Sequence, residues 1–200
     1  MKGSKFWLGM TAVVCALALG GCATQVKRMG VEEVKDLSGN WNDTDSRLVS
    51  EEMIRDSLSG GWLSRHEQQS NKAPAVIVGS IRNLSHEHIN TRTFVADLER
   101  AFVNSGRVDV VASKTEREDI RDERADMDLN SAEDTRKEMG KEVGADYMLI
   151  GTINSIIDAS SGEQIRFYQV DLTLVSMSDN RKVWTGQKKL KKDIKEASFR

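Results

Sequence analysis

His86-Glu87-His88 is the one place in this 200-residue sequence where metal-ligating side chains crowd together. Two imidazoles two positions apart in a loop can share an ion. The remaining imidazole, His66, falls in a different predicted loop, so the pair reads as part of a polar, solvated segment. Glu116 to Asp128 is rich in carboxylates, but a calcium loop arranges its oxygen ligands around a glycine. This run has no glycine and is interleaved with Arg117, Arg121 and Arg124, which makes it an ion-paired surface. There is no P-loop, no G-x-G-x-x-G, no G-x-S-x-G and no H-E-x-x-H. The expected chemistry is therefore binding, not catalysis: not an enzyme, no metal, no cofactor and no small-molecule substrate.

The cysteines carry a different chemistry. Lys2 and Lys5 precede an apolar run from Phe6 to Leu19, too short to cross a bilayer, where about 20 residues are needed. Such a run reads as a secretory signal peptide over residues 1–21. It ends Leu19-Gly20-Gly21-Cys22, which resembles the bacterial lipobox. That resemblance implies cleavage before Cys22, diacylation of its thiol and acylation of the new amine. Cys15 lies in the removed segment, which leaves Cys22 without an internal disulfide partner. Acyl chains add about 0.8 kcal/mol per buried methylene, and several together anchor stably. Ala23 follows the cysteine; by resemblance to the sorting rule of enteric lipoproteins, the absence of Asp there implies the outer membrane, facing the periplasm.

Lys plus Arg is 29 against 31 for Asp plus Glu, a net charge of −2. That balance argues against a nucleic-acid partner, which calls for a basic excess. Apolar residues at 38% and charged residues at 30% suit one core-forming domain, expected over residues 45–200. Residues 22–44 read as the lipidated N-terminus and a short tether. As a coil its reach is roughly 25 Å, and fully stretched about 75 Å. Trp41 is expected to touch the domain.

The first helix is expected from Asp45 to about Leu58, capped by Thr44 or Asp45, with Leu48, Val49, Met53, Ile54 and Leu58 as its apolar stripe. A polar loop then leads to Pro74. Ala75 to Gly79 is a short apolar run suited to a strand buried on both faces. After a polar loop from Arg82 to Asn90, Phe94, Leu98, Ala101 and Phe102 share a helix face, with Gly106 at the C-cap position. Val108 to Ala112 is a second strand, Lys114 to Asp128 a solvated helix or loop, and Ser131 to Val143 a further helix. Asp146 to Ile157, Tyr168 to Leu174 and Lys182 to Leu190 are three strands of an antiparallel meander with one wet face. The fold class is α/β: a single mixed sheet of about five strands, flanked by about four helices.

The basic tail from Arg181 to Arg200 has two readings, an anionic contact surface or lysines that guard an edge strand. Trp184 and Tyr147 are expected in the core. The candidate docking residues are Arg82, Asn83, His86, His88 and Asn90, chosen because polar loops at strand ends are natural contact surfaces.

Four stretches carry a family resemblance: Asp36-Leu37-Ser38-Gly39-Asn40-Trp41-Asn42-Asp43-Thr44-Asp45-Ser46, the strand Val76 to Arg82 with Asn83, Gly144-Ala145-Asp146-Tyr147-Met148-Leu149-Ile150-Gly151, and Val183-Trp184-Thr185-Gly186. Together, over roughly residues 36–190, they resemble the LpoB-type lipoproteins, outer-membrane activators of penicillin-binding proteins. Similar pieces occur in the curli-secretion (CsgG-like) lipoprotein and in the N-terminal domain of TolB. The first resemblance implies a TolB N-terminal-like fold and a non-catalytic protein that docks on a peptidoglycan synthase and stimulates it. The second implies a structural or assembly role in an outer-membrane complex. The enteric activators carry a long Pro-rich tether, whereas this chain contains a single proline, Pro74.

Overall fold

The structure, a computed structural model, describes residues 27–30, 33–131 and 142–195. The chain divides into two compact units, Met1–Glu33 and Val34–Arg200. Of the first, residues 27–30 and 33 are described and irregular, with the Glu33 amide donating to the Gly30 carbonyl at 3.0 Å. The signal peptide over 1–21 and Cys22 lie outside the described residues, as do most of the helix expected from Ser131 to Val143 and the last five residues of the tail. At the end of that expected helix, residues 142–145 are irregular and Val143 is 69% exposed.

Among the described residues, the second unit holds four helices and five strands: α1 (Asp43–Ser59), α2 (Gly61–Ser70), β1 (Ala75–Asn83), α3 (Thr91–Ser105), β2 (Asp109–Val110), α4 (Lys114–Asn130), β3 (Tyr147–Ser160), β4 (Glu163–Ser176) and β5 (Lys182–Lys195). The strands form one mixed sheet in the order β2-β1-β3-β4-β5. β1 lies parallel to β2 and to β3, and β3, β4 and β5 run antiparallel as the expected meander. The β1-α3-β2 unit is a parallel crossover.

Alternation explains the sheet. Tyr168, Val170, Leu172 and Leu174 are buried while the residues between them are half-buried. Leu149 and Ile153 of β3 and Trp184 of β5 join them in one core with Val49, Met53 and Ile54 of α1, Trp62 and Leu63 of α2, and Phe94, Leu98 and Phe102 of α3. Three of the helices therefore cover one face. α4 buries none of its residues, as its charge demands. Its start is a capping box, in which Ser113 accepts from the Glu116 amide and Glu116 accepts from the Ser113 amide. Those bonds hold the Glu116 carboxyl below its usual pKa.

Several expected boundaries are corrected. α1 starts at Asp43, because Asn42 is the N-cap and Asp45, at the third helical position, reaches back to the Asn42 amide at 3.0 Å. Leu48 is 47% exposed and lies off the apolar stripe. The polar loop expected before Pro74 is largely helix α2, held by its first turn. Trp62 is 2% exposed and its Nε1 donates to the Ser57 carbonyl at 2.7 Å, while Leu63 is fully buried. β1 continues to Asn83, so Arg82 and Asn83 are strand residues, not loop. Its register shifts between Val78 and Ile81 relative to β3, the signature of a bulge. β5 also runs further than expected, to Lys195. Gly106, at φ 62°, caps α3 as its position predicts.

The segment before α1 packs onto the sheet. Trp41 makes edge contacts with Phe94 and Tyr168, at centroid distances of 6.0 and 5.6 Å, and its Nε1 donates to Ser46 at 2.8 Å. Lys192, whose side chain is 14% exposed, donates to Asp36 at 3.2 Å, to the Asn40 carbonyl at 3.1 Å and to Asp45 at 2.6 Å. Residues 36–42 are thus a strap tied across the end of the meander.

Candidate functional site

Where β1 leaves the sheet, Asn83 organises the turn. Its Nδ2 donates to the Glu87 carbonyl at 2.8 Å, and its Oδ1 accepts from the Ser85 amide and hydroxyl at 3.0 and 2.6 Å. The Leu84 amide still bonds to the Ile153 carbonyl at 2.8 Å, so the loop begins as an extension of the ladder. The His86 amide donates to Ser155 Oγ at 2.9 Å, with the imidazole Nδ1 3.1 Å from the same oxygen. Glu87 turns inward, where one oxygen accepts from the Trp41 amide at 3.1 Å and the other bonds the Tyr168 hydroxyl. Ile89 is 7% exposed and pins the far end. Asn90 caps α3, accepting from the Arg92 amide at 3.2 Å.

The five candidate docking residues therefore divide. Asn83 and Asn90 have their side chains committed to the loop and the helix cap. His86 is exposed but tied to the β3-β4 hairpin. Arg82 and His88 are exposed with no hydrogen-bond or ion-pair partner among the described residues. The imidazoles of His86 and His88 gather no third ligand: among the described residues no group of three His, Cys, Asp or Glu is placed to hold a metal.

Arg82 also belongs to a surface absent from the sequence-based candidates. Ile81 is buried and Arg82 exposed, Asn83 half-buried and Leu84 exposed, so the chain keeps alternating across the sheet. Arg82 lies opposite Thr152 on the face away from α1 and α3. Further along that face Ile156, 63% exposed, pairs with Phe167, and Phe167 with Lys191. The adjacent Ile156-Ile157 was the available signal, because two neighbouring apolar residues in a strand must face opposite sides.

β5 is one edge of the sheet, and three of its lysines are ion-paired. Lys188 is paired with Glu52, Lys192 with Asp36 and Asp45, and Lys195 with Glu163 and Asp193. Lys189 and Lys191 are exposed and without an ion-pair partner among the described residues. Trp184, 9% exposed, is core as expected, its Nε1 donating to Asp56 at 3.2 Å; Tyr147 is half-buried against the core.

The motif residues quoted above hold this frame. Asp146 accepts from the Ala75 amide through Oδ2 at 2.8 Å, donates its amide to the Ala75 carbonyl at 2.7 Å, and accepts from the Met177 amide at 2.8 Å. The Trp184 indole lies where a Cβ on Gly186 would be.

The family of the peptidoglycan-synthase activator LpoB matches residues 45–190, well over half of the chain. The chain belongs to the LpoB family. The matched span runs from the capping box of α1 through most of β5. Among solved structures, the LpoB C-terminal domain from Salmonella enterica is similar at 13% identity and a TM-score of 0.43, covering 76% of this chain and 99% of that one. The LpoB C-terminal domain from Escherichia coli aligns at 13% identity and a TM-score of 0.44, covering 73% and 98%. Lipoprotein GNA1162 from Neisseria meningitidis aligns at 15% identity and 0.41, covering 62% and 87%. No curated protein sequence matches. Among the described residues no helix is long and apolar enough to cross a membrane.

Proposed function

We propose that this chain is a non-catalytic lipoprotein of the outer membrane, facing the periplasm, that binds a penicillin-binding protein and stimulates peptidoglycan synthesis. The observation that carries this reading is the LpoB family match over residues 45–190. That match favours synthase activation over the assembly role of the curli-secretion type. The anchor is Cys22, acylated after removal of residues 1–21. The chain between Cys22 and the strap is the leash that joins anchor to domain.

The docking surface includes Arg82, His86 and His88. Arg82 stands on the end of β1 and the two histidines on a loop whose backbone is fixed by Asn83, Ser155 and Glu87, so little ordering entropy is lost when a partner binds. Asn83 and Asn90 act indirectly, by holding that loop.

The test uses the lipid-free unit from Val34 onward on penicillin-binding proteins from the same envelope. Specific binding and a faster glycan polymerisation rate are expected. Alanine at Arg82, His86 and His88 together should weaken binding at least tenfold and shift stability by no more than about 0.5 kcal/mol per site, as for other surface changes. Binding without any rate change overturns activation, and unchanged affinity in the triple variant overturns this surface. Labelled palmitate should enter the full chain and not its Cys22→Ala variant.

A further inference from the structure

At the opposite end of β3 from the docking loop, α2 and the β4-β5 turn enclose a cleft of about 330 Å³. Its wall carries Arg65 and Gln69 from α2 and Ser178, Arg181 and Lys182 from the turn. Its lining holds three cations, and the carboxylates nearest to it, Asp179 and Asp146, stand against Arg181 and His66. Arg65 and Lys182 have no ion-pair partner among the described residues. Arg181 is held in place by Asp179, with its Nε 2.6 Å from the Asp179 carboxylate. That geometry occupies one edge of the guanidinium and leaves its other N–H groups available. Ser176 and Ser178 face each other at 3.0 Å, and Ser176 also bonds the Asp179 carboxylate, which holds that carboxyl below its usual pKa.

The base of the cleft is rigid. His66, its side chain 12% exposed, places Nδ1 3.0 Å from the Tyr147 hydroxyl and Nε2 3.9 Å from Asp146. The Tyr147 ring packs edge-on against Trp62 at 5.1 Å and against His66 at 5.5 Å. Donors on two separate elements thus converge over a floor that ring contacts and hydrogen bonds keep still. Guanidinium forks recognise oxyanions with two parallel N–H···O bonds, and an ammonium adds a point charge. The cavity is larger than a bare oxyanion needs, so the ligand carries further polar atoms.

We propose that this cleft binds a small molecule or pendant group bearing a carboxylate or a phosphate. Arg65 and Arg181 take the oxyanion, Lys182 supplies the second charge, and Gln69 and Ser178 contact the rest. The site is independent of synthase binding, since it lies at the other end of the sheet from Arg82, His86 and His88.

The test follows backbone and guanidinium NMR signals of the unit from Val34 onward while inorganic phosphate, or separately acetate, is added at constant ionic strength. Saturable shifts confined to Arg65, Gln69, Ser178, Arg181 and Lys182 are expected with at least one probe, and the stronger probe identifies the oxyanion. Arg65→Gln combined with Lys182→Gln should weaken binding at least tenfold. Lys189→Gln with Lys191→Gln, on the far edge, should leave it unchanged. Shifts that stay linear for both probes, or equal affinity in both double variants, overturn the proposal. Both variants change exposed side chains, so a preserved native spectrum separates loss of the site from loss of the fold.

Discussion

The Tyr168 hydroxyl lies 2.9 Å from the carbonyl oxygen of Gly39, which stands 129 positions earlier in the chain. The same hydroxyl meets the Glu87 carboxylate, so one fully buried phenol joins the strap, the loop between β1 and α3, and β4. Tyr168→Phe keeps the ring and its contact with Trp41 but removes the one hydroxyl hydrogen that the two acceptors share. Leaving buried acceptors unsatisfied costs about 1–3 kcal/mol. Urea unfolding should show that loss, and limited proteolysis should cut within residues 36–42 faster than in the parent. A variant as stable and as resistant as the parent would contradict the role given to this hydroxyl.

Both tyrosines of the chain should ionise late. Burial raises Tyr168 above its usual value, with the Glu87 hydrogen bond and charge adding to it, and burial raises Tyr147, with Asp146 adding to it. Each group therefore has a folded pKa above an unfolded value of about 10. The stability this represents is fully present below about pH 10 and is lost as pH rises through the folded values. An alkaline titration read at the tyrosinate absorbance should show both tyrosines ionising above pH 10 in the native protein, with Tyr168 last. In Tyr168→Phe, stability should fall less steeply above pH 10. A native-state step at about 10 would sink this account.

Trp184 and Gly186 form a single packing unit. Gly186→Ala places a methyl where the indole ring sits, and overpacking of this kind costs about 1–3 kcal/mol. Trp184→Ala should cost more, about 3–5 kcal/mol, through the cavity it leaves beside α1. In the double variant the small side chain removes the clash, so the two costs should add to less than their sum. Strict additivity in denaturant midpoints would show that the two residues are not coupled.

Ser57 offers a substitution in the opposite direction. It is fully buried in α1, and its hydroxyl has no hydrogen-bond partner in the structure. Ser57→Ala removes an unsatisfied polar atom and improves helix propensity. Stability should rise by about 0.5–1 kcal/mol in thermal or urea unfolding. A loss of stability would mean that the hydroxyl is satisfied by bound water.

The meander was readable because Tyr168, Val170, Leu172 and Leu174 alternate with polar residues, and α3 because Phe94, Leu98 and Phe102 recur at helical spacing before a glycine. α2 was not, because Gly60-Gly61 reads as a break and only Trp62 and Leu63 of its ten residues are deeply buried. Tertiary packing of one turn decides that helix, and with it the Arg65 and His66 side of the cleft. After β1, His88 was visible as an exposed polar loop residue, while Arg82, expected in the same loop, belongs to the strand. The inward turn of Glu87 was not visible, since its partner Tyr168 lies 81 positions away. Asn83 and Asn90 looked like surface groups because a side chain that serves the backbone has the same composition signal as one that serves a partner.

The strap also sets how the protein responds to mechanical load. In the anchored form proposed here, a pull on Cys22 reaches Asp36 before Asn42. The first bonds to carry it are those from the exposed Asp36 to Asn42 and Lys192. Behind them lie the buried Tyr168–Gly39 bond, the packed Trp41 ring and the sheet. Peeling residues 36–42 would lengthen the leash by about 24 Å, at 3.3–3.6 Å per residue. The strap would then act as a mechanical fuse, giving up the Trp41 packing, the Tyr168–Gly39 bond and the Asn42 cap in exchange for reach.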